Sequence, residues 1–160
     1  MHYAVRAAPP ALVAQSFVRT GMTIPTKTKI LVAEDDVAVL DLVARWLEAA
    51  GYWTVKARDG ERVIEAVREA APAAIVMDLT MPKMDGFEVL AKLRAMGGPT
   101  SVPVLVLTGH QSADDVRKAV PLGARDYLTK PVDRETLLTR VERLLRNAAI
   151  RAGEADQRIG

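Results

Sequence analysis

The amino-acid sequence predicts an α/β fold, in which five strand and helix units form a doubly wound, five-stranded parallel sheet. From residue 29 onward, short apolar runs alternate with segments of helical period, which is the pattern of parallel strands joined by crossover helices. Most residues of these runs are apolar or β-branched, as expected of strands that helices cover on both faces. The two observations predict one domain that begins near Lys29.

The five predicted strands are short. In chain order they span residues 30–33, 53–57, 74–77, 104–107 and 126–128. Because parallel strands are joined by right-handed crossovers, five such units close into a doubly wound sheet. Sheets of this kind carry their functional residues at the carboxyl ends of the strands, so we expect the chemistry at that edge.

The segments between the strands have the apolar spacing of amphipathic helices. The apolar faces consist of Leu40, Val43, Ala44 and Leu47 in the first helix, Val63, Ile64 and Val67 in the second, Phe87, Leu90 and Leu93 in the third, and Leu137, Leu138, Val141, Leu144 and Leu145 in the last. Ser112 and Asp115 form an approximate capping box for the fourth helix, and Asp133 is a predicted N-cap for the fifth. Pro121 lacks an N–H, which predicts that the fourth helix is kinked or shortened.

Both ends of the chain lie outside this pattern. Residues 1–28 have no sustained period and contain several prolines, which predicts a disordered extension; Met22 is a possible translation start. We predict a flexible tail at residues 148–160. These boundaries leave one domain at 29–147, without room for an output domain.

The composition excludes several kinds of site. The sequence contains no cysteine, so disulfides, thiolate metal sites and cysteine nucleophiles are ruled out. The two histidines, His2 and His110, are far apart in the sequence and cannot by themselves form a zinc site. Any catalytic metal must therefore be bound by oxygen.

The charge distribution argues against direct nucleic-acid binding. The formal net charge is +2, but Arg6 and Arg19 account for the excess because residues 1–21 contain no acidic residue. The remaining chain is formally neutral, unlike the basic surfaces that bind nucleic acids. No apolar run approaches the roughly 20 residues that cross a bilayer. We therefore expect a cytoplasmic protein without membrane insertion.

Acidic, hydroxyl and amine side chains follow the predicted strands. They are Glu34, Asp35 and Asp36 after the first, Asp78 after the third, Thr108 after the fourth, and Lys130 with Pro131 after the fifth. Two carboxylates about 4 Å apart repel by roughly 4 kcal/mol at an effective dielectric of 20, so the acidic cluster predicts a bound cation. Carboxylate oxygens without sulfur or imidazole favour Mg²⁺. A phosphoryl group in transfer needs such a metal, a cation and a donor, which makes Asp78 the natural acceptor.

Four segments carry a resemblance to a known family. They read ILVAEDD at 30–36, VMDLTMPKMDG at 76–86, VPVLVLT at 102–108 and GARDYLTKP at 123–131. Together they resemble the CheY-like receiver domain of response regulators, in a single-domain form, over about residues 29–147. The resemblance implies the flavodoxin-like strand order 2-1-3-4-5. It also implies a two-component response regulator, a phosphoacceptor switch rather than an enzyme.

The resemblance implies a role for each residue at the strand ends. Asp78 is the phosphorylation site, and Mg²⁺ is bound by Glu34, Asp35, Asp78 and the backbone carbonyl of Thr80. Lys130 and Thr108 contact the phosphoryl group, Tyr127 changes rotamer with Thr108, and the Lys130–Pro131 peptide bond is cis. The donor is a sensor histidine kinase or a histidine phosphotransfer protein. A downstream effector binds the face formed by the fourth helix, the fifth strand and the last helix.

Simpler interpretations exist for single residues. Asp35 and Asp36 can cap the first helix, Lys130 can be a surface lysine, and Tyr127 can be a packing residue with its hydroxyl in water. Helix caps do not explain why acidic, hydroxyl and amine groups all fall at strand ends. Gly109, Arg125 and Val132 depart from the commonest family pattern, and none of these departures removes a reactive group.

A phosphorelay intermediate and a phosphorylation-independent interaction domain remain alternatives. A phosphatase that forms an aspartyl phosphate needs a second acid where Thr80 stands. A flavin-binding protein needs a phosphate-binding loop rich in serine, threonine and glycine after the first strand, where the chain instead has the acidic residues 34–36.

Overall fold

Five strands and five helices alternate along the chain in a computed structural model that describes residues 28–97, 102–109 and 113–159. They are β1 (Lys29–Ala33), α1 (Val37–Ala49), β2 (Trp53–Ala57), α2 (Gly60–Ala70), β3 (Ala74–Asp78), α3 (Gly86–Met96), β4 (Val104–Thr108), α4 (Ala113–Ala119), β5 (Ala124–Thr129) and α5 (Arg134–Ile159). The strands form one parallel sheet in the order β2-β1-β3-β4-β5. The predicted fold class and strand order are confirmed.

The three central strands β1, β3 and β4 are buried on both faces because their alternate residues enter two different cores. Leu31, Ile75 and Val106 belong to a core that α2 and α3 cover. Val32 and Val76 belong to a second core, which α1 and α5 cover. Every residue of β3 and β4 is buried, which explains why these strands read as uninterrupted apolar runs.

An aspartate begins four of the helices at the site edge of the sheet. The carboxylates of Asp36, Asp59, Asp85 and Asp133 accept hydrogen bonds from backbone N–H groups in the first turns of α1, α2, α3 and α5, each with one bond of 2.9 Å. Such caps satisfy donors that have no partner inside the helix. The caps fix where each loop ends and its helix begins, and the predicted cap at Asp133 is confirmed.

Helix α4 is short, as Pro121 predicts. It ends at Ala119, and the chain turns before Pro121. The carbonyl of Pro121 accepts a 2.6 Å hydrogen bond from the guanidinium of Arg94 on α3. The predicted capping residue Ser112 lies outside the described residues.

The last helix differs from the sequence prediction. Residues 148–160 were predicted to be a flexible tail, but α5 continues through Ile159. The segment contains no proline and has four alanines and two arginines, which have high helix propensity. Its exposed side chains bury little apolar surface, so the hydrophobic pattern gave no signal for a helix there.

The predicted N-terminal extension lies outside the described residues except for Thr28, whose carbonyl accepts the N–H of Trp53 at 3.0 Å. This bond begins the pairing of β1 with β2. Within the described part of the chain, no helix combines the length and apolar character needed to cross a membrane.

Candidate functional site

The register of the sheet brings the predicted site residues to one edge. Ala33 pairs with Met77, Asp78 with Leu107, and Thr108 with Thr129. The carboxyl ends of β1, β3, β4 and β5 are therefore level, and each ends beside a residue that the sequence singled out. The strand-end rule for doubly wound sheets holds in this chain.

The side chain of Lys130 joins two acidic residues at this edge. Its ammonium donates hydrogen bonds to Oε2 of Glu34 at 2.8 Å and to Oδ2 of Asp78 at 3.0 Å. The backbone N–H of Lys130 also donates to the carbonyl of Thr108 at 2.7 Å. The Lys130–Pro131 peptide bond is cis, as expected from the sequence. Lys130 is thus held in the site by its backbone as well as by its side chain.

Three carboxylates lie close enough to share a metal ion. Ligand oxygens of Glu34, Asp35 and Asp78 all lie within 4.8 Å of one another. Glu34 and Asp78 are buried, with 2% and 6% of their surface exposed, whereas Asp35 is exposed to solvent. The cluster therefore has a buried floor and an open side through which a metal ion can enter.

Electrostatics in the site are dominated by burial of acidic groups. Burial raises the pKa of Glu34 to about 7, and the neighbouring Asp78 carboxylate adds to the rise, while Lys130 opposes it. For Lys130, burial lowers the pKa, but the hydrogen bonds to Glu34 and Asp78 outweigh it and leave the pKa above its ordinary value. One ammonium faces three carboxylates, so the site attracts a further cation.

Asp36 is a helix cap and not a member of the cluster. Its Oδ1 accepts the N–H of Ala38 at 2.9 Å, and its own N–H donates to Oε1 of Glu34 at 3.2 Å. The simpler interpretation as a cap is therefore correct for Asp36. Asp35, for which the same interpretation was open, lies in the carboxylate cluster instead.

The loop after β3 is folded onto the site. The N–H of Thr80 donates to Oδ1 of Asp78 at 3.1 Å, which occupies the oxygen that Lys130 does not contact. The N–H of Gly86 donates to the carbonyl of Leu79 at 2.8 Å, which closes the loop at its base. Thr80 itself is exposed, beside the open side of the cluster.

Thr108 and Tyr127 occupy different environments. Thr108 ends β4, next to the strand that carries Asp78, and only 3% of it is exposed. Tyr127 lies on β5 at the surface, with 47% of it exposed. The structure therefore brings Thr108 to the site edge and leaves Tyr127 about half exposed at the surface. His110 lies outside the described residues.

One ion-pair cluster was missed by sequence reasoning. Asp126 on β5 accepts hydrogen bonds from Arg140 and Arg143 on α5, each at 2.7 Å. Burial tends to raise the pKa of Asp126, but the two arginines and the Tyr127 N–H outweigh it and hold the pKa below its ordinary value. The arginines' spacing of three marks one side of a helix, but the partner strand is known only once the topology is known.

Comparisons with known proteins agree on one family. A family model described as the response regulator receiver domain matches residues 30–142. The chain is 39% identical to the response regulator MprA of Mycobacterium ulcerans over 127 residues, which cover 79% of this chain and 54% of that protein. It is 42% identical to the DNA-binding dual master transcriptional regulator RpaA of Synechocystis over 118 residues, 74% of this chain and 49% of that protein.

Solved structures give the same result for the fold. The chemotaxis response regulator CheY4 of Vibrio cholerae superposes with a TM-score of 0.70 at 31% identity, over 74% of this chain and 99% of that structure. By contrast, the chain spans about half the length of the regulators MprA and RpaA. The similarity to those two proteins therefore concerns one part of each.

Proposed function

This chain belongs to the response regulator receiver domain family, and we propose that it accepts a phosphoryl group on Asp78 from a histidine kinase or a histidine phosphotransfer protein. The observation that carries the proposal is the position of Asp78. One of its oxygens lies 3.0 Å from the Lys130 ammonium, and the carboxylates of Glu34 and Asp35 lie beside it. An acceptor oxygen, a cation and a metal-binding pair are what phosphoryl transfer requires.

The donor set fits a magnesium ion. Glu34, Asp35 and Asp78 supply carboxylate oxygens within reach of one another, and Mg²⁺ prefers one or two such ligands together with water and phosphate oxygens. We propose these residues and the Thr80 carbonyl as its ligands. When bound, the ion would neutralise charge on the oxygens of the phosphoryl group.

The protein side chains supply the nucleophile, the cation and the hydrogen-bond donor for the transfer. An oxygen of Asp78 forms the new bond to phosphorus while the bond between phosphorus and the donor histidine nitrogen breaks. Lys130 supplies positive charge to the phosphoryl oxygens, and the Thr108 hydroxyl donates a hydrogen bond to one of them. We propose that Tyr127, now exposed, changes its rotamer when Thr108 moves toward the phosphoryl group.

We propose that the output is a change in protein contacts and not catalysis of a reaction on a separate substrate. The face formed by α4, β5 and α5 supports this, since Val120, in the turn after α4, and Tyr127, on β5, are apolar or aromatic side chains that are 56% and 47% exposed. A downstream effector protein would bind there. Because the donor histidine is phosphorylated from ATP, we place the protein in the cytoplasm.

The proposal is tested by mass spectrometry of the intact protein after incubation with acetyl phosphate, with and without Mg²⁺. We expect a gain of one phosphoryl group that requires the metal and is absent from Asp78→Asn. Asp114→Asn is the matched control, because Asp114 lies in an exposed pair on α4 and outside the carboxylate cluster. A folded wild-type protein that gains no mass, beside a working receiver domain, would contradict the proposal.

A further inference from the structure

The loop between β3 and α3 is held in place by side chains that are buried in the core. It spans residues 79–85, and the side chains of Leu79, Met81 and Met84 are buried in the core that α2 and α3 share. Thr80 and Lys83 face solvent. The loop is thus a packed segment whose exposed side carries the proposed magnesium ligand Thr80.

Helix α2 touches this loop at a position where only glycine fits. Gly60, the first residue of α2, is buried. A Cβ atom added to Gly60 would lie 2.1 Å from the carbonyl oxygen of Met84, 2.6 Å from its Cβ and 2.8 Å from its carbonyl carbon. Such distances are shorter than any real Cβ contact, and two of the three atoms are backbone. Alanine at this position requires the helix or the loop to move.

A second contact joins the same two segments. Asp59 accepts the N–H of Arg62 through Oδ1 at 2.9 Å, which caps α2. Its Oδ2 lies 3.6 Å from the ammonium of Lys83 in the loop. Lys83 has a φ of 66°, in the left-handed region that residues other than glycine rarely adopt. Asp59, the N-cap of α2, and Gly60, its first residue, therefore lie against the adjacent loop residues Lys83 and Met84.

The two ends of the loop are joined next to Asp78. The hydrogen bond from Gly86 to Leu79 joins the two ends of the loop at 2.8 Å. A Cβ on Gly86 would lie 2.7 Å from Cα of Leu79, so the ends cannot slide past one another freely. A displacement imposed at Met84 must then be absorbed within residues 79–85, which include Thr80.

We propose that Gly60 is a positioning residue, which sets the placement of the 79–85 loop and through it the affinity of the carboxylate site for Mg²⁺. The inference rests on the proposed function, because the magnesium site is part of it. Packing alone would predict that a substitution at Gly60 changes stability and leaves metal affinity unaltered in the folded protein. The two interpretations differ in a quantity that can be measured.

The test compares Gly60→Ala with Gly153→Ala. Gly153 also lies in a helix, and a Cβ there would meet nothing within 4 Å. Magnesium dissociation constants are measured by calorimetric titration well below the unfolding temperature of each protein. We expect Gly60→Ala to bind Mg²⁺ about tenfold more weakly, as for residues that orient metal ligands, and Gly153→Ala to match the wild type. Amide exchange of Thr80 and Gly86 in metal-free protein should be faster in Gly60→Ala only.

Lys83→Gly is measured alongside, in case Gly60→Ala does not fold. It removes the contact with Asp59 without adding an atom to the interface, and we expect weaker Mg²⁺ binding by a smaller factor and faster exchange of the same amides. Folded variants with wild-type affinity and exchange would overturn the inference while leaving the proposed function intact. Absence of Mg²⁺ binding by the wild type would instead overturn the proposed function and this inference together.

Discussion

Lys130 and Glu34 are 96 positions apart in the chain, yet the lysine ammonium lies 2.8 Å from the glutamate carboxylate. In the sheet, β3 and β4 lie between the strands that precede these residues. The lysine therefore reaches over Asp78, which it also contacts, to the far side of the site. When no metal ion is bound, the ammonium is the positive charge that offsets the free-energy cost of burying two acidic groups.

Removing this ammonium should destabilise the metal-free protein. We expect Lys130→Ala to lower the free energy of unfolding by about 1–3 kcal/mol, because two largely buried carboxylates lose their partner. Saturating Mg²⁺ should reduce the difference. Urea unfolding with chelator and with Mg²⁺ measures both. Lys56→Ala is the control, since the Lys56 and Asp41 side chains are both well exposed and such pairs contribute less than about 1 kcal/mol.

Glu34 should give the metal-free protein an unusual dependence on pH. Its pKa is about 7 in the folded protein and 4.5 in the reference state, so between these values the folded state holds a proton that the unfolded chain releases. Stability therefore rises as the pH falls through this range. We expect Glu34→Gln, with chelator at pH 8, to be about 1–3 kcal/mol more stable than the wild type. A gain that persists undiminished at pH 5.5 would contradict this assignment.

Asp126 should contribute to stability through its two arginines. We expect Asp126→Asn to lower the free energy of unfolding by about 1 kcal/mol at pH 7. Because the pKa of Asp126 is lowered in the folded protein, this contribution is complete above the ordinary value of 3.8 and is lost as the pH falls through the folded pKa. Chemical unfolding at pH 7 and pH 3 measures it. Asp114→Asn, in an exposed pair, should have little effect at either pH.

Leu137 should be a strong determinant of stability. It is fully buried where α5 packs on the sheet, so Leu137→Ala removes apolar contacts and leaves a cavity. The expected loss is about 2–5 kcal/mol, measured by urea unfolding. Leu42→Ala serves for comparison, because 45% of Leu42 is exposed on α1 and its loss should be within about 0.5 kcal/mol. Equal losses of stability in the two variants would mean that Leu137 is not buried between α5 and the sheet as described.

The strands of the sheet could be predicted from the sequence because the pattern of apolar residues that marks a strand is local. Strand β2 has the predicted bounds, β1, β3 and β4 extend the predictions by one residue at one end, and β5 extends its prediction by two residues at the start and one at the end. Strand β5 is the least regular, since it begins at Ala124 and its register shifts near Val104. Its residues alternate between buried and exposed, so only its central part read as an apolar run.

The parts that could not be predicted depend on contacts between distant segments. The pairing of Asp126 with Arg140 needs the position of α5 against β5, and the contact of Gly60 with Met84 needs the position of α2 against the loop. A glycine that follows Asp59 in the sequence looks like an ordinary helix start. The carboxylate cluster was predictable because strand ends in a parallel sheet converge by rule, whatever the details of packing.

The continuation of α5 through Ile159 changes what the last helix can transmit. At 1.5 Å per residue, its 26 residues form a rod of about 39 Å, anchored to the sheet through its first half, where Leu137, Val141 and Leu144 are buried. A tilt of about 10° around the first turn moves the far end by roughly 6 Å. Any tilt of the anchored half therefore displaces the far end of α5 by more than it displaces the buried side chains at the sheet.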